Sequence, residues 1–356
     1  IEPPTQQPEE NKSSTNIEQN DTGDANQIIN QNDGIAINKI GRDVNFNGTS
    51  IVQISVDEIK TREFIPTSPY KGLKTFELED KDLFFGRDQF LRDLANELEI
   101  TNFDILLGAS GSGKSSVIRA GLIPSLQKKL SSHLVHLTFT PDTNPFESLY
   151  ASLLSKYSQK EAQIARKIKA NTLTQVVKKL KQPDSYWFIF IDQFEELFTT
   201  TSHDKCNEFI KSLVKLTDAK IADVKIVATM RADFLDKLSP YPQLVKVTDN
   251  HLKMIAEMQP DELRMAIEQP AARHGVVFET GLVDEIIKDV QGQAGYLPLL
   301  QYTLNILWEE EVKSGCCKYR TLNISSYRGL GGVRGALQKR VDSIYGRFKK
   351  QEQFAT

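Results

Sequence analysis

The chain has 356 residues, 39% of them hydrophobic, enough for about two domains with ordinary cores. Its formal net charge of −3 lacks the basic excess of nucleic-acid binders, so no nucleic-acid partner is indicated. No apolar run approaches the ~20 residues that cross a bilayer, so no membrane span is expected.

Residues 1–66 differ in composition from the rest. The chain opens at Ile1 without a methionine and shows no signal-peptide pattern, so its natural N-terminus is expected to lie upstream. The stretch to about residue 33, rich in Asn, Gln, Pro and Glu, buries too little apolar surface to offset chain entropy and is expected to be disordered. After it, Ile35/Ile37, Val44/Phe46 and Val52/Ile54/Val56 alternate with polar residues between Gly34, Gly41 and Gly48, predicting short strands and turns. This segment is expected to be a linker with a small hairpin, or a stackable β motif, because Asn-rich, weakly charged strands favour cross-β pairing. It loosely resembles the amyloid-type motifs upstream of some bacterial immune ATPases.

From residue 67 the pattern is α/β. Strands are predicted at "FDILLG", "HLVHLTFTP", "WFIFID" and "VKIVATM". Such near-continuous apolar runs indicate a parallel sheet covered on both faces. Helical periodicity fills the intervals, and the Lys/Arg-rich segment 156–181 fits a solvated helix face better than a nucleic-acid patch. From residue 259, "PDELRMAIEQPAARHG", "GLVDEIIKDVQGQ" and "LPLLQYTLNILWEEEVK" predict helices. The expected organisation is a parallel α/β domain over 67–258, a small all-α lid over 259–330, and the start of a further domain over 331–356. Cys206, Cys316 and Cys317 make neither a disulfide framework nor a CxxC pair and are expected to be free thiols in a reducing cytoplasm. The five histidines lack zinc-ligand spacing.

"GASGSGKSS" at 108–116 fits GxxxxGK[ST] between a predicted strand and a predicted helix, the context that makes this pattern strong. Gly108, Ser110, Gly111, Ser112 and Gly113, with Ser116, form the expected phosphate cradle, helped by the partial charge of the helix N-terminus. Lys114 is expected to reach the β- and γ-phosphates, and the Ser115 hydroxyl to ligate magnesium. Asp192 lies at the C-terminal end of a predicted strand, where a parallel sheet binds ligands. It is expected to hold magnesium through water. Glu195 is the candidate to orient the attacking water; Glu196 serves that role less well and fits the start of the next helix. Arg231, closing "VKIVATMR", either senses the γ-phosphate or pairs with Asp233 or Asp236. No [NT]KxD motif supports a GTPase, and no LSGGQ precedes Asp192 as in transporters.

Taken together, "PYKGLKTFELEDKDLFFGR", "GASGSGKSSVIRAGLIPSL", "FIDQFEELF", "TMRADFL", "EQPAARHGVVFE" and "GQAGYLPLLQYTLNILWE" resemble, in order and spacing over residues 70–347, the STAND class of signalling ATPases. These are relatives of NACHT and NB-ARC proteins, and the resemblance is strongest to the novel-STAND type of multicellular bacteria. It implies that Phe85, Gly86 and Arg87 pack against adenine and ribose, and that Pro298 of "GYLP" touches the base, although a proline there is also ordinary helix-start chemistry. It further implies an ATP/ADP switch with slow hydrolysis, a homo-oligomer on activation, and a role in bacterial defence or regulated cell death. The family continues into a winged helix and a repeat sensor; this chain stops in what looks like mid-helix, so effector and sensor domains are expected to be missing from both ends. Rival readings are a multiple-turnover motor or remodeller, and a nucleotide-binding scaffold that never hydrolyses.

Overall fold

The computed structural model describes residues 43–46, 49–52, 55–249, 251–293, 295–313, 320–336, 338 and 341–342. The expected disordered stretch 1–33, the strand at Ile35/Ile37, Cys316 and Cys317, and most of 331–356 lie outside them. Strands β1 (Asp43–Phe46) and β2 (Thr49–Val52) pair antiparallel, with Phe46 opposite Thr49. The alternation through Val56 does not continue as a strand: Val56 opens helix α1 (Val56–Thr61). Ser55 is the reason, because its side chain accepts the Glu58 N–H at 3.1 Å and caps the first turn.

Helix α2 (Asp88–Ile100) leads into β3 (Phe103–Gly108). After the glycine loop, α3 (Lys114–Ser116) runs through a π-helical turn (Val117–Leu122) into α4 (Ile123–Leu130). Strand β4 (Leu134–Phe139), helices α5 (Pro145–Leu154), α6 (Gln159–Ala162) and α7 (Thr172–Leu180), and β5 (Tyr186–Ile191) follow. Then come α8 (Glu196–Thr199), α9 (His203–Asp218), β6 (Val224–Arg231), α10 (Pro242–Thr248) and β7 (Leu252–Met254).

Strands β3 to β7 form one parallel sheet in the order β4-β5-β6-β3-β7. The four predicted strands are all present; the fifth, β7, is a three-residue edge strand too short to leave an alternation. Side chains of successive residues point to opposite faces. Ile105, Leu137, Trp187, Ile189 and Ile226 therefore pack with α5, α7 and α9, whereas Leu106, Phe188, Phe190 and Val227 pack with α2 and α4. Each such buried side chain contributes about 1.5–3 kcal/mol, which is why apolar residues dominate these strands.

The helical unit consists of α11 (Pro260–Arg273), α12 (Leu282–Val290), α13 (Leu297–Trp308) and α14 (Ile324–Leu330), with a short parallel pair, β8 (Val277–Phe278) and β9 (Thr321–Leu322). Its core centres on Leu263, Ile267, Ile286, Leu304 and Trp308. Residues 55–66, which composition groups with the linker, belong to this unit by contact. The Trp308 Nε1–H donates to the Pro66 carbonyl at 2.9 Å, and the Ile65 N–H donates to the His274 carbonyl at 3.2 Å. Arg320 Nη1 donates to the carbonyls of Lys60 and Arg62, and the Tyr70 hydroxyl donates to Ile267 O at 2.6 Å. His274, whose ring nitrogen Nδ1 lies 2.8 Å from Thr67 O, is pushed below the usual histidine range by burial, which suits a neutral ring donating that proton. Among the described residues, no helix is long and apolar enough to cross a membrane.

Candidate nucleotide site

A cavity of about 540 Å³ opens above the C-terminal ends of β3, β5 and β6 and below the start of α13. Its size falls within the roughly 300–1,000 Å³ of small-molecule clefts. The loop between β3 and α3 forms its floor. Gly111 (φ +76°) and Gly113 (φ +87°) adopt the left-handed conformation, which turns successive N–H groups one way. Lys114 Nζ donates to the carbonyls of Gly108 at 3.0 Å and Ala109 at 2.8 Å, its own loop. Burial pushes this ammonium below the ordinary lysine value, while Glu195 and Asp192 pull it back up.

Strand β6 separates the loop strand β3 from β5, the strand that ends at Asp192. Two hydroxyls close the gap. Ser115 Oγ donates to Asp192 Oδ1 at 2.7 Å, and Thr229 Oγ1 of β6 donates to the same oxygen at 2.6 Å. The Gln193 N–H, on a residue held at φ +52°, points at Asp192 Oδ1 and Thr229 Oγ1 at 3.1 Å each. Asp192 Oδ2 accepts from Arg119 Nη2 at 3.0 Å. The buried carboxylate thus has a donor on each oxygen, which answers the desolvation cost of a charge inside an apolar sheet.

Glu195 is buried, lines the cavity with Lys114, and accepts the Arg231 N–H at 3.3 Å. Glu196 opens α8, as its sequence position suggests, and its carboxylate accepts the Asp142 N–H at 3.1 Å. Arg231 lines the cavity, but its guanidinium pairs with Asp233 in two contacts, at 3.0 and 2.6 Å. The ion pair with Asp233 that its sequence position allows is thus formed.

Phe85, Arg87, Ser110, Gly111, Ser112, Gly113, Ser115, Ser116 and Pro298 also line the cavity. Gly86, Gly108 and Asp192 stand behind its wall. Gly86 (φ +85°) faces the first turns of α11, where a Cβ would overlap the Glu262 carbonyl oxygen and the Met258 methyl. Gly86→Ala is accordingly expected to destabilise the protein by about 2–4 kcal/mol, combining left-handed strain with overpacking; a denaturant titration measures this directly. Arg87 is buried, its Nη1 4.0 Å from Glu262, and burial lowers its pKa from the ordinary arginine value. Pro298 sits over the loop: a Cβ on Gly111 would lie 3.2 Å from its ring and 3.1 Å from the Gly295 carbonyl oxygen. Thr229, Gln193 and Arg119 are the site residues that motif spacing misses.

The sequence profile described as Novel STAND NTPase 1 matches residues 69–356. Comparison with curated protein sequences gives no match. Among solved structures, the Aeropyrum pernix ORC1 protein in complex with DNA superposes with a TM-score of 0.50 at 15% identity, over 72% of this chain and 66% of that one. The Aeropyrum pernix ORC2 protein in its ADPNP-ADP complexes gives 0.52 at 14% identity, over 68% and 66%. The chain spans just under two thirds of the length of these two structures, and the likeness is one of fold: a parallel sheet with flanking helices.

Proposed function

The chain belongs to the family of novel STAND NTPases, and from that premise we propose that it is an ATP/ADP-operated signalling switch whose slow hydrolysis sets the position of the helical unit. One observation carries the reading: the start of α13 rests directly on the phosphate loop, Pro298 and Gly295 against Gly111 and Ser110. Whatever the loop holds must be accommodated by the helical unit, as in other nucleotide switches whose mobile parts answer to the γ-phosphate.

In this reading the loop amides and Lys114 bind the phosphates. Phe85, Arg87 and Pro298 close the base side, and domain limits follow the split between sheet (67–258) and helices (259–330). Magnesium fits the residues present. The Ser115 hydroxyl donates a hydrogen bond to Asp192, which leaves its oxygen lone pairs for a hard cation. Among the described residues, no group of three or more acids, histidines or cysteines could hold a metal alone, which suits a cation carried mainly by phosphate and water. When bound, magnesium would neutralise phosphate charge. Glu195, beside Lys114, orients the attacking water and accepts its proton. Arg231 meets the γ-phosphate after leaving Asp233. ATP frees the helical unit and promotes homo-oligomers. The resemblance to NACHT and NB-ARC relatives supports an output in bacterial defence or regulated cell death.

Native mass spectrometry with a phosphate-release assay tests this. The purified chain is expected to retain ADP as a monomer, gain mass as an oligomer with ATP, and turn over on the order of 10⁻² s⁻¹ or slower, the scale of nucleotide switches. Unactivated turnover of roughly 10 s⁻¹, typical of ordinary enzymes, would establish a motor instead.

A further inference from the structure

Arg119 lies in the π-helical turn between α3 and α4, a kind of irregularity that often marks functional positions. Its guanidinium forks between two carboxylates. Nη2 reaches Asp192 Oδ2 at 3.0 Å, and Nη1 reaches Glu77 Oε2 at 2.9 Å. The Asp192 side chain is 5% exposed and that of Glu77 48%, so one arm ends in the core and the other near the surface. The Phe190 ring lies 5.8 Å from the guanidinium carbon.

Glu77 is not an isolated surface acid. It is the N-cap of the 3₁₀ turn Leu78–Leu83, and its backbone N–H donates to Asp80 Oδ2 of that turn at 2.8 Å. The chain on both sides of that turn lines the cavity: Gly72 to Phe76 before it, Leu83 to Phe85 at its end. The Phe76 N–H donates to Ser116 Oγ at 3.1 Å, and the Phe76 and Phe84 rings meet edge to face at 5.6 Å. The base-side segment 72–85 is thus fastened to the phosphate side at two points, and one of them passes through the carboxylate assigned to magnesium.

We infer that Arg119 is a positioning residue that couples magnesium beside Asp192 to closure of the base-side segment, by sharing one guanidinium between Asp192 and Glu77. The inference rests on the nucleotide reading of the cavity. A guanidinium cannot lose its proton, and its planar fork spans two acceptors at once. A divalent cation drawn to Asp192 competes for that charge and repels the guanidinium. Glu77 then becomes the main partner of Arg119, and the turn that Glu77 caps is held more firmly. Linkage requires the reverse as well: a closed segment raises the affinity of the site for the cation. An exposed Arg–Glu pair alone would contribute little; the shared fork gives the contact its consequence.

Amide exchange across residues 72–85, followed by mass spectrometry on the ADP-bound chain with magnesium or with EDTA, tests the coupling in the parent, Glu77→Gln and Arg119→Lys. In the parent, magnesium is expected to slow exchange about fivefold or more, the low end of measured couplings between sites. In Glu77→Gln the effect falls below about twofold, and likewise in Arg119→Lys, whose single ammonium cannot span both carboxylates. Glu77→Gln alters only a half-exposed side chain, so it carries the test even where Arg119→Lys unfolds. A full-sized magnesium effect in Glu77→Gln with ADP bound, or none in the parent, overturns the coupling and makes Arg119 a strut. A parent that binds no ADP overturns the nucleotide reading itself.

Discussion

Lys114→Ala is expected to weaken nucleotide binding by up to about 100-fold, because a charge-assisted contact to phosphate contributes up to roughly 3 kcal/mol and each 1.4 kcal/mol is tenfold. Among the described residues, the ammonium bonds only the Gly108 and Ala109 carbonyls of its own loop. Both bonds are local and join no distant parts of the chain, so the fold loses little when the side chain goes. The thermal midpoint without nucleotide is therefore expected to stay within about 2 °C of the parent, while the stabilisation given by ADP disappears. Titration with a fluorescent nucleotide, paired with thermal melts with and without ADP, separates the two. Undiminished affinity in a folded Lys114→Ala protein would mean that phosphate binds elsewhere.

Glu195→Gln is expected to keep nucleotide affinity within a few-fold of the parent and to lower hydrolysis at least ~100-fold, the usual share of a positioned acid–base group. The amide oxygen of Gln can still accept the Arg231 N–H that Glu195 Oε2 accepts at 3.3 Å, so the end of β6 keeps its shape. What goes is the negative charge facing Lys114 and the ability to take a proton. Single-turnover phosphate release, with ATP binding measured on the same sample, gives the answer. Hydrolysis at the parent rate would move the water-positioning role to another acid, with Glu196 next in line.

Much of this site could be read from local sequence because its chemistry is local. The loop 108–116 is one continuous stretch whose glycine spacing follows from φ angles that other residues avoid. Helices α11, α12 and α13 declared themselves through periodic burial. Asp192 stood out because an apolar strand has no use for an unpaired carboxylate. The same reasoning applies to Thr229 in "IVATM" and Arg119 in "VIRAGL", each a lone polar residue in an apolar run, and both prove to be partners of Asp192. Those pairings join residues far apart in the chain, so no spacing rule exposes them. Ser55 and Glu58 do form a local capping signature, but the alternation around Val52 and Val56 obscured it. The contacts of residues 55–70 were illegible for a different reason: Pro66 meets Trp308 and Tyr70 meets Ile267, pairings set by the packed unit alone.

Those contacts place the first described helix, α1, on the helical unit. The backbone consequently crosses between sheet and helical unit twice, outward along residues 71–87 and back near residues 255–260. A body hung on one thread can turn in any direction; a body hung at two separated points keeps only rotation about the line through them, like a door. Gly72 to Phe76 and Arg87 at the first crossing, and Met258 at the second, all line the cavity. In the proposed switch a nucleotide would therefore lie against that line, where a displacement of a fraction of an ångström becomes a wide sweep at the far edge.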